Sequence, residues 1–380
     1  MNKSNVSKTL VIINQFAVSG SNAFIFIIIG YYFSESEIVG YANMFAIYLL
    51  MSMIINTYVS DIYLNKISFH PQKARGSAVV LLLVLFPVII LIANLVQLGD
   101  IYTHSMVYIY VLTLIDLERR IYNLKLEVIL ITVLIFLVAI SRVFLTVISS
   151  SLTEALLLQN IIISLLLFIF YMVKKNEIEF SSTLIDARKN IYNMISMPLQ
   201  WLWGHSPLFL LQTYFPTSIV ALYVLVRSVV NAFNVILELI PVLLSQKLKE
   251  LFYSHKSMAM AITAYSVLIG IGLILYYYSI DFISSTSLMQ NYSFNHDLFF
   301  TLMLLTFIVS LLRIISIYIK LLNLTVLLPI SFLIGLSWFL KLLFFEPVDY
   351  LDVFNYALYS AFTMYALLIF SVVFYRISHV

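Results

Sequence analysis

Four polar residues of one apolar segment recur at the spacing that places them on a single face of an α-helix: Arg227, Asn231, Asn234 and Glu238. A guanidinium beside two carboxamides can bind the oxygens of an anionic group. A polar face inside an apolar segment must look at a cavity or at another helix, because lipid cannot satisfy it. We therefore take Arg227, Asn231 and Asn234 as candidate substrate-binding residues.

Two other apolar segments carry polar residues that could join this site. Gln15, Ser19 and Asn22 follow the same helical spacing in the first segment, and Arg313 lies in the tenth. Gln15, Asn22 and Arg313 are the further candidate substrate-binding residues. The alternative for each polar residue is a seam that holds two helices together by hydrogen bonds.

Only four of the 21 Lys and Arg residues fall inside apolar segments, and they are Arg142, Arg227, Arg313 and Lys341. We expect Arg142 to snorkel outward from its helix and Lys341 to pair with Glu346. Arg313 could also serve as an inner-leaflet phosphate anchor. Because the cations in these segments outnumber the one deep acid, Glu238, the segments favour an anionic cargo.

The composition of the chain indicates which structural elements carry these residues. The chain is 62% hydrophobic and 10% charged, well below the roughly 25% charge of a soluble domain. Runs of about 20 apolar residues, long enough to cross a bilayer, recur from end to end. They predict an all-α polytopic membrane protein with twelve transmembrane helices at about 9–32, 37–60, 77–97, 103–118, 126–147, 154–173, 195–214, 218–245, 258–279, 298–319, 324–345 and 352–375.

The other seventeen cations lie in alternate connections between the segments, or at the two termini. Lys73 and Arg75 fall after the second segment, and Arg119 and Arg120 after the fourth. By the positive-inside bias these connections and both termini are cytoplasmic. The absence of Cys excludes disulfides and cysteine-based metal sites. We expect no cofactor, no metal and no nucleic-acid partner.

The chain shows a faint internal repeat. The stretch YYFSESEIVGY at 31–41 is similar to TYFPTSIVALY at 213–223, with a one-residue gap. Both stretches follow the first helix of a six-helix half, so we expect two parallel halves around a central cavity. The predicted division is an N-terminal half at 1–173, a cytoplasmic interfacial linker at 174–194 and a C-terminal half at 195–380.

Three patches resemble a known family. Residues 14–50, with Ser19, Gly20 and Asn22 before an acidic turn and Gly40, are similar to the first two helices of polysaccharide flippases. The basic stretch at 116–125 and the segment at 201–233 resemble other parts of the same family. These flippases belong to the multidrug/oligosaccharidyl-lipid/polysaccharide exporter superfamily.

The resemblance implies a flippase for a polyprenyl-pyrophosphate-linked oligosaccharide, such as the O-antigen unit of lipopolysaccharide, in the bacterial cytoplasmic (inner) membrane. It implies a cationic cavity that includes Arg227, contacts with membrane lipids, and other polysaccharide assembly proteins as partners. Alternating access between residues 1–173 and 195–380 is our hypothesis for the mechanism. Coupling to an ion gradient through Glu238 is a hypothesis, which flipping unaltered by Glu238→Gln would contradict. The drug-exporting branch often has an acid in its first helix, where this chain has Asn14, Gln15 and Asn22.

We expect a transporter rather than an enzyme. The alternatives are an O-antigen polymerase or ligase and a transporter of a soluble small molecule. Polymerases and ligases of this kind resemble one another in a large outer loop with basic catalytic residues. The longest outer loop predicted here, at about 280–297, has no Lys or Arg.

Overall fold

A computed structural model describes residues 3–55, 57, 70–95, 102–125, 128–174, 178–179, 191–231, 255–284, 296–322 and 324–377. Twelve helices account for nearly all of these residues, and no strand occurs among them. In chain order, α1 to α12 are Lys3–Tyr32, Glu35–Ile55, Pro71–Leu95, Tyr102–Lys125, Val128–Ile148, Leu152–Lys174, Ile191–Tyr214, Thr217–Asn231, His255–Ser284, His296–Leu321, Leu327–Phe344 and Tyr350–Ile377.

Nine of the described helices are long and apolar enough to cross a membrane. The other three are α4, α7 and α8, of which α4 carries the run of charges at its carboxyl end and α8 is described only to Asn231. Each predicted span overlaps one described helix, so the all-α polytopic fold is confirmed. The central cavity expected between two halves stays a prediction.

The chain forms two compact units, residues 1–201 and 202–380. In the first unit α1 packs along α5, α2 along α4, and α6 against both α4 and α5. In the second unit α12 packs against α10 and α11, and α9 against α10. The division falls inside α7, downstream of the predicted linker, and the boundaries predicted from the sequence stay a prediction.

Two helices extend into stretches that the sequence analysis assigns to loops. The third helix begins at Pro71, so Lys73 and Arg75 lie in its first turns rather than in a connection. The fourth helix continues to Lys125, so Arg119 and Arg120 are helical as well. The placement of these four cations in loops was wrong, because hydropathy ends a span at the first charge, whereas ion pairs within the fold let the helix continue.

The internal repeat has a structural counterpart at the first turn of each unit. Tyr32 ends α1 and Tyr214 ends α7, and after each the chain makes a two-residue connection before the next helix begins. Phe33 donates its backbone N–H to the oxygen of Ile29 at 2.9 Å, and Phe215 donates to Leu211 at 2.9 Å. The connections have equal length, so the two stretches align without the gap that the sequence comparison introduced.

Candidate functional site

The Arg142 guanidinium is the centre of a polar cluster inside the first unit. Arg142 lies on α5, is 3% exposed, and donates to three side chains from three other helices. Its Nε bonds the Tyr108 hydroxyl at 2.6 Å, Nη1 the Asn22 Oδ1 at 2.7 Å, and Nη2 the Tyr41 hydroxyl at 3.1 Å. All three acceptors are neutral, so their hydrogen bonds orient the cation without cancelling its charge.

This position contradicts the expectation that Arg142 snorkels outward. The apolar pattern of α5 does not indicate which of its faces turns inward. The packing of α1 along α5 turns the face with Arg142 inward. The described part of the chain places no carboxylate within ion-pairing distance of Arg142. A buried charge without a counter-charge costs several kcal/mol, which makes this arginine a functional candidate.

A small cavity of about 30 Å³ adjoins Arg142, and Tyr48, Asp116 and Arg119 also line it. Such a volume holds about two water-sized atoms. The Asp116 carboxylate pairs with the guanidinium of Arg119, accepts from the Ser52 hydroxyl at 2.7 Å, and lies 3.6 Å from Arg120 Nε. Asp116 is thus already neutralised and cannot also serve as the counter-ion of Arg142.

Gln15, one of the predicted binding residues, belongs to this network. Its Oε1 accepts from Arg119 Nη1 at 2.5 Å, and its Nε2 donates to the Ser19 hydroxyl at 3.3 Å. Gln15 and Asn22 therefore lie at opposite ends of one polar face of α1, each bonded to an arginine. Their helical spacing indicated that they share a face, and the structure supplies the arginines that this face meets.

A second arginine of the first unit has its own acid. Arg75 on α3 binds Glu118 on α4 in a bidentate pair, with Nε and Nη2 at 2.6 Å and 3.0 Å from the two carboxylate oxygens. The Tyr171 hydroxyl on α6 donates to the same carboxylate at 2.8 Å. This closed pair joins three helices and leaves no charge for a ligand, so its role is structural.

Arg227 lies half-buried on α8 of the second unit. Its Nη1 donates to the Tyr223 hydroxyl at 2.9 Å, and its Nη2 to the backbone oxygen of Gly204 at 3.1 Å. Both partners are neutral, and no carboxylate of the described chain pairs with this guanidinium. Arg227 therefore offers a positive charge to a ligand, whereas Arg75 and Arg119 do not.

Arg142 and Arg227 contact equivalent positions of the internal repeat. Asn22 precedes the end of α1 by the same number of residues as Gly204 precedes the end of α7, and Tyr41 follows that end by the same number as Tyr223. Each arginine thus bonds one position of the first helix and one tyrosine of the second helix of its unit. The arginines themselves come from non-equivalent helices, α5 and α8.

The remaining candidates are less informative. Asn231 is exposed at the last described residue of α8, and Arg313 is half-buried on α10. Asn234 and Glu238 lie outside the described residues. Lys341 does not pair with Glu346 as expected; its Nζ lies over the rings of Trp338 and Tyr356, 6.0 Å and 5.7 Å from their centroids. No cluster of three metal-binding side chains occurs in the described ranges.

Sequence reasoning missed Tyr41 and Tyr108, both buried partners of Arg142. One signal was available for Tyr41, because the two repeat stretches both end on a tyrosine, at 41 and 223. No pattern in the sequence indicates Tyr108, since a tyrosine in an apolar segment is equally typical of the interfacial belt.

Comparison with known proteins supports the fold and leaves the activity open. No family model and no curated protein matches the chain. The chain is similar to the crystal structure of the eukaryotic MATE transporter AtDTX14, with a TM-score of 0.56 and 13% sequence identity over 98% of this chain and 94% of that one. The chain thus shares its fold with this solved transporter, and its long apolar helices make it a multi-pass membrane protein.

Proposed function

We propose that the protein is a flippase that moves a polyprenyl-pyrophosphate-linked oligosaccharide, a repeat unit of O-antigen or another surface polysaccharide, from the inner to the outer leaflet of the bacterial cytoplasmic membrane. The observation that carries this proposal is the Arg227 guanidinium, which has only a phenol and a backbone carbonyl as partners. The resemblance of residues 14–50, 116–125 and 201–233 to polysaccharide flippases supports the same substrate class.

The positive charge of Arg227 favours an anionic substrate. An arginine held in an apolar helix by neutral groups is costly until an anion approaches it, and each hydrogen bond to a charged group then contributes about 1.5–3 kcal/mol. A guanidinium binds phosphate oxygens in a bidentate manner, which suits a pyrophosphate. A cationic drug would meet repulsion at the same place.

The likeness of fold to a solved transporter disfavours the enzyme alternative, an O-antigen polymerase or ligase. A transporter of a soluble anion is compatible with the fold and with Arg227. Alternating access is the mechanism we propose for either cargo, since folds built from two repeated halves move in this way.

The test is transfer of a fluorescent lipid-linked oligosaccharide across proteoliposomes that contain the purified protein. We expect Arg227→Ala to slow transfer about tenfold or more, the loss that one charged hydrogen bond predicts. Lys341→Ala is the matched control, because it removes an exposed cation that lies over aromatic rings, and it should transfer at the wild-type rate.

Two results would count against the proposal. Equal transfer by Arg227→Ala and the wild type would remove this residue from the mechanism. Uptake of a soluble sugar phosphate, with no movement of the lipid-linked substrate, would replace the flippase by the small-molecule transporter.

A further inference from the structure

Arg142 has more hydrogen-bond donors than the described chain supplies acceptors for. A guanidinium carries five N–H groups, and three of those of Arg142 donate to Tyr108, Asn22 and Tyr41. One N–H on Nη1 and one on Nη2 therefore meet no acceptor among the described residues. Buried donors without a partner are costly, so these two N–H groups indicate a site for a small ligand that accepts hydrogen bonds.

The cavity of about 30 Å³ beside Arg142 supplies the space for such a ligand. Tyr48 of α2 also lines this cavity; it is buried, and its hydroxyl makes no hydrogen bond to a residue that the structure describes. A phenol O–H is a donor that an anion can accept from. Two helices thus bring three donors to the border of one small space, the Tyr48 O–H and two N–H groups of Arg142.

The uncompensated charge at this cavity is that of Arg142. Asp116 and Arg119 line the cavity as well, but they form an ion pair with each other. The Asp116 carboxylate also accepts a hydrogen bond from the Ser52 hydroxyl. Arg142 has only neutral partners, so a ligand with one negative charge would remove the cost of burying a lone cation. A water molecule would accept the hydrogen bonds but leave that charge uncompensated.

The volume of the cavity restricts the anion to a small one. About 30 Å³ holds about two water-sized atoms, whereas sulfate and phosphate each bring four oxygens around a central atom. A halide is a single atom only slightly larger than water, and chloride is the halide that is abundant in biological solutions. We propose that Arg142 and Tyr48 bind one chloride ion inside the first unit.

The bound chloride acts on the junction of four helices. Arg142 on α5 bonds Asn22 of α1, Tyr41 of α2 and Tyr108 of α4, so its charge lies where these helices meet. An anion that binds the folded protein and not the unfolded chain stabilises the fold by mass action. Chloride should therefore raise the unfolding temperature of the protein in a saturable manner.

The experiment compares thermal unfolding of the purified full-length protein in sodium chloride and in sodium gluconate of equal ionic strength. We expect chloride at about ten times its dissociation constant to raise the midpoint temperature by about 2–4 °C. Sodium bromide should act as sodium chloride does, because bromide is also a monatomic anion. Sodium sulfate at the same ionic strength should lack the saturable component, because sulfate does not fit the cavity.

Variants locate the site within the first unit. Arg142→Gln should abolish the shift caused by chloride, and Tyr48→Phe should weaken chloride binding about tenfold, the loss of one hydrogen bond to a charged group. Val18→Phe keeps every donor and fills the cavity, so it should abolish the shift as well. Val143→Phe is the matched control, because Val143 is half-buried like Val18 but lines an open apolar groove and not the cavity. It should keep the full shift.

A crystal grown in sodium bromide locates the ion directly, since bromide scatters anomalously. We expect an anomalous peak between the Arg142 guanidinium and the Tyr48 hydroxyl. Electron density there without an anomalous peak would identify water and overturn the site. Equal unfolding temperatures in chloride and gluconate would overturn it too, and so would a full chloride shift in Val18→Phe. If Arg142→Gln does not fold, Tyr48→Phe and Val18→Phe carry the test.

This site is independent of the proposed function, which depends on Arg227 in the second unit. The assays measure binding of chloride and not transfer of a lipid-linked oligosaccharide. Chloride binding by a protein that transfers no such substrate would leave the site and overturn the flippase. Transfer that depends on Arg227, in a protein whose unfolding ignores chloride, would overturn the chloride site alone.

Discussion

Replacement of Glu118 by Gln tests whether the first unit depends on its closed ion pair. The side chains of Arg75 and Glu118 are 4% and 0% exposed, and they form two hydrogen bonds of 2.6 Å and 3.0 Å. Glu118→Gln keeps the shape of the side chain and removes its charge. Arg75 then remains buried without a counter-charge, which costs about 3–5 kcal/mol of unfolding free energy.

A second substitution separates loss of charge balance from loss of packing. Arg75→Met in the Glu118→Gln background removes the uncompensated cation and leaves an oxygen that can still accept from the Tyr171 hydroxyl. Replacing a buried ion pair by groups of similar volume is often nearly neutral, so we expect the double variant to recover most of the loss.

The measurement is the free energy of unfolding of the purified protein in mixed detergent micelles, followed by circular dichroism. Glu35→Gln, an exposed acid in the first turn of α2, is the control and should cost at most about 1 kcal/mol. A Glu118→Gln variant that loses no more than this control would refute the reasoning. A double variant that is no more stable than Glu118→Gln would show that the effect is not electrostatic.

Two further predictions use the same unfolding assay. Tyr41→Phe should lower the free energy of unfolding by about 1.5–3 kcal/mol, because buried Arg142 loses a hydrogen-bond acceptor. Tyr223→Phe should lower it by less, since water can reach half-buried Arg227. A larger loss for Tyr223→Phe than for Tyr41→Phe would contradict the argument. Gly335→Ala should cost about 1–3 kcal/mol, because the added Cβ would meet the Met364 sulfur, and adding Met364→Ala should relieve that clash; no relief would contradict it.

The sequence was sufficient for the approximate positions of the described helices, because twenty-residue apolar runs leave little choice in a bilayer. It was insufficient for the charges near helix ends. Arg75 and Arg119 were assigned to loops, since the positive-inside bias counts cations and takes no account of their partners. Their acids, Glu118 and Asp116, lie on α4, and only the packing of α4 against neighbouring helices shows that these residues pair inside the fold.

Arg142 illustrates a different limit. The apolar composition of α5 is typical of a lipid-facing helix, in which an arginine ordinarily snorkels toward the membrane surface. Which face of α5 turns inward depends on α1, the helix with which α5 packs most extensively. The orientation follows from contacts between residues far apart in the chain, Asn22 and Tyr108 among them, and no local pattern contains that information.

The repeat shows why similarity of residues understated the similarity of the two units. The two-residue connections after Tyr32 and Tyr214 keep the first two helices of each unit in the same register, so Asn22 and Tyr41 have exact positional counterparts in Gly204 and Tyr223. At the first of these positions the hydrogen-bond acceptor is the carboxamide oxygen of Asn22 in one unit and the backbone oxygen of Gly204 in the other. The shared register of the first two helices sets the positions of these acceptors. The guanidinium comes from α5 in the first unit and from α8 in the second. Arg142 and Arg227 do not align with each other, although both bond these equivalent positions.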